Sequence, residues 1–394
     1  MKHKSNMFLE QIKNAYLMKF NLKVRVIKGI SICTVSILFI CCAIIDNHSV
    51  DVDYNGRLSS NNKYLEAHKQ NFDTIKLQSL VSKIDNGYFG DVHSIIISRK
   101  NEVVLEKYFR GYDRDRLHCI YSITKSVTSA LIGIAIDSND INDLDEELLD
   151  FFPEYSQIEN LSNEKENITL ENILTMSSGF EWNEWTYPYD NPNNSATILW
   201  ESNDMIKYML NLPLSHNPGT HFTYNSGCSI LLSGIIKNKT GLSAEQYAAN
   251  NLFSKVGIEE WNWLRGDDGL TWTSGELFLR PIDMLKFGEL YLNNGHWNDL
   301  QIISEDWIET STSSQIRITD NNNYGYHWWR YSENHYVYNT LGTKDIYYAI
   351  GHAGQYIWVI PHLDMVIVTT AGNEAVTRKS ESMLWGDILP SILN

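Results

Sequence analysis

The stretch IYSITKSVTSALIGIAID, residues 120–137, decides how the rest of the chain is read. Its opening is polar; Val127, Ala130, Leu131, Ile134 and Ala135 then recur at helical spacing, so a buried helix is expected to begin at Ser122. Ser122 and Lys125 share one face of that helix, where the amine can reach the hydroxyl. A serine needs such a base to become a nucleophile, and first-turn N–H groups and the helix dipole favour negative charge developing there. SxxK occurs three times, at Ser60/Lys63, Ser122/Lys125 and Ser162/Lys165. The outer two lie in the polar stretches SSNNK and LSNEKEN, which read as solvated loop. The middle one opens an apolar helix, and that context selects Ser122. The bland reading of the same residues is a serine cap with Lys125 exposed on the first turn, and the stretch alone leaves the two level.

The chain of 394 residues is long enough for one large domain or two smaller ones. Its formal charge is −16, unevenly spread: residues 1–46 hold seven Lys or Arg against two acids. Subtracting these from the totals of 32 and 48 leaves 25 basic and 46 acidic residues, a body charge of −21 that argues against a nucleic-acid partner. Residues 1–28 read as a basic n-region, and the uncharged run GISICTVSILFICCAII, residues 29–45, as a transmembrane anchor or a signal-peptide core. By the positive-inside rule the basic side stays cytoplasmic and the body is exported, giving a membrane contact through the N-terminus. A start at Met18 makes an ordinary cleaved signal; a start at Met1 makes an uncleaved anchor. Three of the five cysteines, Cys33, Cys41 and Cys42, fall in this run. Cys119 and Cys228 then read as small apolar residues, with no disulfide framework and no zinc spacing.

Residues 46–72 are polar and read as a tether, leaving 73–394 as the domain. Residues 74–86 form an amphipathic helix, and VHSIIIS (92–98) with VVLEKYF (103–109) form a β-hairpin. From 137 to about 294 the chain is helical and loop-rich, with Thr169, Ser243/Gln246 and Pro281 as helix starts. Residues 180–197 carry Trp182, Trp185, Tyr187 and Tyr189, a density that fits the wall of a substrate cleft slightly better than a self-packed loop. Strands return at 324–331, 355–360 and 365–370, and a helix over 376–393 ends the chain. The expected fold is α+β, an antiparallel sheet built from both chain ends with flanking helices and an inserted helical region.

Two further stretches have the character of a site. Tyr224-Asn225-Ser226 lies between a tight loop and a helix start, and a tyrosine beside a lysine can have its pKa lowered and shuttle a proton. Gly351-His352-Ala353-Gly354-Gln355 precedes an apolar strand, where glycines admit a substrate backbone and a strand N–H can face an oxyanion. In order and spacing, SITK, YNS and GHAGQ resemble the serine hydrolase superfamily of class C β-lactamases, D-alanyl-D-alanine carboxypeptidases and related esterases. The closest branch is the one similar to 6-aminohexanoate-dimer hydrolases. The likeness covers about residues 90–390 and extends to LTMSSG, PGTHFTYNSG and FGELYLNNGHWNDLQIISEDWIE.

That resemblance implies a β-lactamase/transpeptidase-like fold and an acyl-enzyme on Ser122, with Lys125 as base and Tyr224 as its partner. It places the N–H groups of Ser122 and Gln355 in an oxyanion hole, sets Ser226, His352, Gly354 and Trp185 against the substrate, and needs no metal or organic cofactor. The chain departs from the family pattern at Ser226, which stands for Asn, and at His352, which stands for the lysine of KTG; both changes weaken the case for β-lactam hydrolysis. The leading reading is an exported esterase, amidase or peptidase acting on a small or peptide-like ester or amide. A D-alanyl peptidase or β-lactamase is the runner-up, and a non-catalytic binding or sensor protein is the reading from another class. No GxSxG elbow, Walker A, Rossmann or HExxH motif occurs.

Overall fold

Apolar runs near both ends of the chain pair with each other, and this brings the helical middle of the sequence onto one sheet. The computed structural model describes residues 51–52, 58–59, 67–335, 338, 344–374 and 379–393. Helix α1 (Thr74–Asp85) starts where the Asp73 carboxylate accepts the N–H groups of Ile75 and Lys76, and it buries Leu77, Leu80 and Ile84. Strands β1 (Val92–Arg99) and β2 (Glu102–Tyr108) form the expected hairpin. Its two loop residues, Lys100 and Asn101, both have positive φ, the geometry of the tight turn that matches strand twist.

The short strand β3 (His118–Cys119) leads into helix α2 (Ile123–Asp137). After it come α3 (Leu170–Leu174), capped by a reciprocal Thr169–Asn172 box, and α4 (Ser226–Thr240), which Asn225 opens and the left-handed Gly241 closes. Strands β4 (Trp261–Trp263) and β5 (Leu277–Leu279) join β3 in a three-stranded sheet, ordered β3-β5-β4. Helix α5 (Pro281–Leu292) follows, with proline in its first turn.

The strands that complete the large sheet are β6 (Ile316–Arg317), β7 (Asn322–Tyr324), β8 (Trp329–Tyr331), β9 (Tyr347–Gly351), β10 (Gln355–Ile360) and β11 (Met365–Ala371). With the first hairpin they make an eight-stranded sheet in the order β6-β7-β8-β9-β10-β11-β1-β2, antiparallel throughout. The two chain ends meet at β11 and β1, where Ile367 faces Ile97 and Val368 faces Ile96. Every residue of β10 and β11 is buried, which explains why both read as continuous apolar runs and not as alternating ones. α5 lies so close to this sheet that a Cβ on Gly288 would stand 2.6 Å from a Val366 methyl.

Four expectations need correction. The tether ends earlier than residue 72: Phe72 is fully buried, bridges Ile392, and is followed by an Asp73 N–H donating to the Ser391 carbonyl at 2.7 Å. An apolar side chain and two backbone bonds outweigh the polar composition around them. Residues 324–331 are not one strand but part of the β7–β8 hairpin, because the Gly325 N–H turns back to the Trp328 carbonyl at 2.8 Å. The last helix is broken into short turns at Glu381–Met383, Leu384–Ile388 and Leu389–Ser391, the last around Pro390, which has no N–H to donate. Ser162/Lys165 is not solvated loop: Lys165 is fully buried and gives its amine to the Glu159 and Leu210 carbonyls.

Among the described residues no helix is long and apolar enough to cross a membrane. The n-region at 1–28, the expected anchor at 29–45 and the Ser60/Lys63 pair lie outside them. Because Phe72 fills core space, Phe72→Ala should cost about 3–5 kcal/mol in urea unfolding; an unchanged midpoint would return residue 72 to the tether.

Candidate active site

Ser122 sits on a turn made rigid from three sides. The Ile120 N–H donates to the Leu277 carbonyl of β5 at 2.9 Å, Tyr121 takes a positive φ of 47°, and the Ile123 N–H closes on the Ile120 carbonyl at 3.2 Å. Ser122 is the residue before α2, yet its hydroxyl caps no helix N–H. That removes the reading in which this serine is a cap. Among the described residues no hydrogen bond takes its backbone N–H, and the side chain stays half-buried, within reach of a substrate.

Residues 123–135 of α2 are buried on every side, so the Lys125 amine is carried into the interior and is 2 % exposed. It donates to Ser122 Oγ at 3.1 Å and to the Ser274 carbonyl at 2.7 Å. Burial pushes this amine down to about 8, opposed by the negative charge of Glu184 and by Cys228. The Tyr224 ring lies 5.1 Å from Lys125 Nζ, and Ser122 works against the rise of the Tyr224 pKa. Lys125 does not lower the Tyr224 pKa as expected. Burial and the Glu184 charge push the phenol above its ordinary value, so Tyr224 rests as a neutral phenol.

Tyr224 is braced by the LTMSSG run, since the neighbouring Thr223 N–H donates to the Met176 carbonyl at 2.8 Å. Asn225 is consumed as the cap of α4. Ser226, expected against substrate, is 2 % exposed and donates its hydroxyl to Glu184 at 2.6 Å, so it faces a carboxylate and not the open cleft.

The β9–β10 corner closes on the Ser122 turn. A Cβ on Gly351 would stand 2.3 Å from the Ile120 carbonyl and 3.1 Å from Gln355 Cβ, which puts the start of β10 beside Ser122. Ala353 and Gly354 have φ of 62° and 97° in this corner. The Gln355 side chain is occupied elsewhere, donating to the His352 and Ala371 carbonyls and accepting from the Ala371 N–H. His352 stands between the Tyr121 and Tyr189 rings, at 5.6 and 6.0 Å. Burial holds its imidazole below the ordinary value, opposed by Glu374.

The aromatic loop both packs on itself and walls the site. Asn194 ties it together through the Glu184 and Tyr187 carbonyls, while Trp185, 63 % exposed, lies nearly parallel to the Tyr224 ring at 5.5 Å. Trp329 of β8 faces Tyr224 from 5.9 Å. Trp329, Ser274 and Glu184 escape a reading of the sequence. Ser274 acts through a carbonyl that any residue carries, and Glu184 stands unmarked among the acids of EWNEW. Among the described residues no cluster of three His, Cys, Asp or Glu side chains could hold a metal ion.

Residues 90–383, most of the domain, match the Beta-lactamase family. The chain belongs to that family. Beta-lactamase-family relatives include the 6-aminohexanoate-dimer hydrolase of Paenarthrobacter ureafaciens, 22 % identical over 297 residues that cover 70 % of this chain and 71 % of the relative. The octameric penicillin-binding protein homologue of Pyrococcus abyssi shares the fold at a TM-score of 0.61 and 22 % identity, covering 82 % of this chain and 79 % of its own. EstCE1, a hydrolase with promiscuous acyltransferase activity, superposes at a TM-score of 0.64 and 11 % identity, over 80 % of this chain and 99 % of its own. This beta-lactamase-family chain is a serine hydrolase with the α+β transpeptidase-like architecture expected of it.

Since Gly351 leaves no room for a methyl group, Gly351→Ala should destabilise the domain by about 1–3 kcal/mol and push the β10 start away from Ser122. Urea unfolding with a fluorophosphonate labelling rate checks both; wild-type values for the two would show that the corner has slack.

Proposed function

We propose that the protein is an exported hydrolase that cleaves a small or peptide-like ester or amide through an acyl-enzyme on Ser122. The observation that carries this reading is the buried Lys125 amine, pushed down to about 8 and 3.1 Å from an accessible serine hydroxyl. In its neutral form Lys125 takes the Ser122 proton as Oγ bonds to the carbonyl carbon, and the carbonyl π electrons move onto oxygen. The N–H groups of Ser122 and Gln355 receive that oxyanion. Collapse breaks the bond to the alcohol or amine, which leaves with the proton from Lys125, passed through Tyr224. Water then attacks the acyl group, its proton follows the same route, and Ser122 Oγ is reprotonated as the acid departs. A neutral Tyr224 phenol suits this relay, because it gives one proton as it takes another.

The cleft chemistry favours an uncharged acyl group. Where the cell-wall peptidases that the chain resembles hold a lysine, His352 offers a neutral imidazole between two rings. Trp185, Trp329 and the Tyr224 ring add an apolar wall. A D-alanyl peptide or a β-lactam, each with a carboxylate to place, fits this less well. A binding or sensor protein has no use for a buried lysine that turns its amine onto a half-buried serine hydroxyl beside a tyrosine ring. Export rests on the leader, where seven basic residues precede or flank a 17-residue apolar run.

The test is intact mass spectrometry of the protein from residue 47 onward after exposure to a fluorophosphonate, and separately to an activated short-chain ester. A single adduct is expected on wild type and none on Ser122→Ala; an equal adduct on the variant would remove Ser122 from the mechanism. Tyr224→Phe should lose on the order of 10²–10⁴ in turnover, and wild-type turnover there would remove the relay. Because Lys125 works unprotonated, kcat/KM should fall about tenfold per pH unit below a midpoint near 8 and level off above it. A flat profile from pH 6 to 9 would exclude this lysine as the base.

A further inference from the structure

Glu184 is a carboxylate 4 % exposed to solvent, placed in the wall of the site by the aromatic loop. Four donors hold it. The Trp182 indole and the Ser226 backbone N–H both donate to Oε2, at 2.9 and 2.8 Å. The Tyr189 and Ser226 hydroxyls both donate to Oε1, at 2.9 and 2.6 Å. All four donors are neutral, and among the described residues no cation forms an ion pair with this carboxylate.

The division between the two oxygens is informative. A glutamine in the same pose would satisfy every one of these bonds: its carbonyl would accept the two N–H groups, and its amide would donate to the two hydroxyls, which can turn to accept. The packing therefore has no need of a charge at this position. A carboxylate withdrawn from water without a cation against it is costly, so a charge kept there acts on something further away.

The groups around Lys125 identify what it acts on. Ser122 and the Ser274 carbonyl touch the amine, Tyr224 and Cys228 face it from the start of α4, and His327 lies behind it, bonded through its ring to the Lys125 carbonyl at 3.1 Å. All of these rest neutral: burial pushes Tyr224 up, Cys228 up to about 12 and His327 down to about 3. Glu184, bonded to Ser226 two residues beyond the Tyr224 ring that lies against the amine, is the carboxylate that raises the Lys125 pKa against its burial.

We propose that Glu184 is a positioning residue for the Ser122–Lys125–Tyr224 set, its buried carboxylate serving as the counter-charge against which Lys125 takes up and returns the serine proton. The inference rests on the hydrolase reading above and adds to it the residue that sets when the base is free. When Lys125 takes the Ser122 proton, the ammonium forms opposite an anion already in place, so the step creates a pair instead of an isolated buried cation. When the proton leaves for the leaving group, the carboxylate remains, bound by neutral donors that do not compete for it. Glu184 also ties this charge to the motif, since two of its four bonds come from Ser226, two residues beyond Tyr224.

The sign of the effect is fixed. An anion near an amine favours the protonated amine, so removing the charge frees the base at lower pH. Two midpoints are measured in the full chain for wild type, Glu184→Gln and Glu184→Asp. One is the pH dependence of fluorophosphonate acylation at Ser122; the other is the Lys125 side-chain titration by ¹³C NMR of labelled lysine, assigned with Lys125→Arg. Glu184→Gln should lower both midpoints by on the order of 1–3 pH units, and Glu184→Asp, which keeps the charge, should remain near wild type. Unmoved midpoints in Glu184→Gln, whatever happens to the rate, would overturn the proposal and leave Glu184 as a packing residue. If Ser122 fails to acylate in wild type, the hydrolase reading falls, while the lysine titration still decides whether Glu184 sets the Lys125 charge.

Discussion

The rest of the structure depends on the removal of one amine from water. Lys125 is drawn inside because α2 is buried on every side, and burial at that position brings its pKa down to about 8. Burial alone does not make a base. Lys165 is as deeply buried and is also pushed down to about 8, and it too follows a serine by three residues. There Ser162 is spent as a cap, accepting the Lys165 backbone N–H at 3.3 Å, and the amine goes to two carbonyls. At Ser122 the turn is held instead by Tyr121, Leu277 and the β9–β10 corner, so the hydroxyl is free of the helix and points to the amine. One motif thus gives a cap in one place and, in the proposed mechanism, a nucleophile with its base in another, and the difference lies in what surrounds the first turn.

That contrast explains what the sequence discloses and what it hides. Local signals are legible because they act locally: the β1–β2 hairpin, the Thr169 and Ser243 capping boxes and the Pro281 start all sit where periodicity and turn chemistry put them. Ser122 stands out because an apolar helix follows it. Phe72 does not, because its partner Ile392 lies at the other end of the chain. Gly325 does not, because the Ser311 carbonyl that makes it necessary, 2.1 Å from where its Cβ would be, is likewise remote in sequence. The direction of the Tyr224 shift is hidden for the same reason. A neighbouring lysine can be inferred from a motif, but the burial and the Glu184 charge that override it come from folding.

The site assembles where the sheet meets the helical region, and glycine decides how closely they meet. Gly351 ends β9 against the Ile120 carbonyl, so the first residue of β10 is delivered beside the Ser122 turn. The Gln355 side chain then stitches that corner to Ala371, the last residue of β11. In the proposed mechanism this leaves the Gln355 backbone to face the oxyanion while its side chain holds the geometry, a division of roles that favours a preset hole over an induced one.

Specificity in the proposed mechanism comes from what this corner lacks. A cation at position 352 would attract a substrate carboxylate and would also oppose formation of the Lys125 ammonium. A neutral imidazole does neither. With His352 uncharged, an anionic substrate finds no cation at position 352 to hold it, while the Glu184 carboxylate acts on Lys125. The exposed Trp185, stacked over Tyr224, gives such a site an apolar contact instead. Charge and shape then point the same way, toward an acyl group that binds by its apolar surface and leaves the Glu184 carboxylate to the lysine.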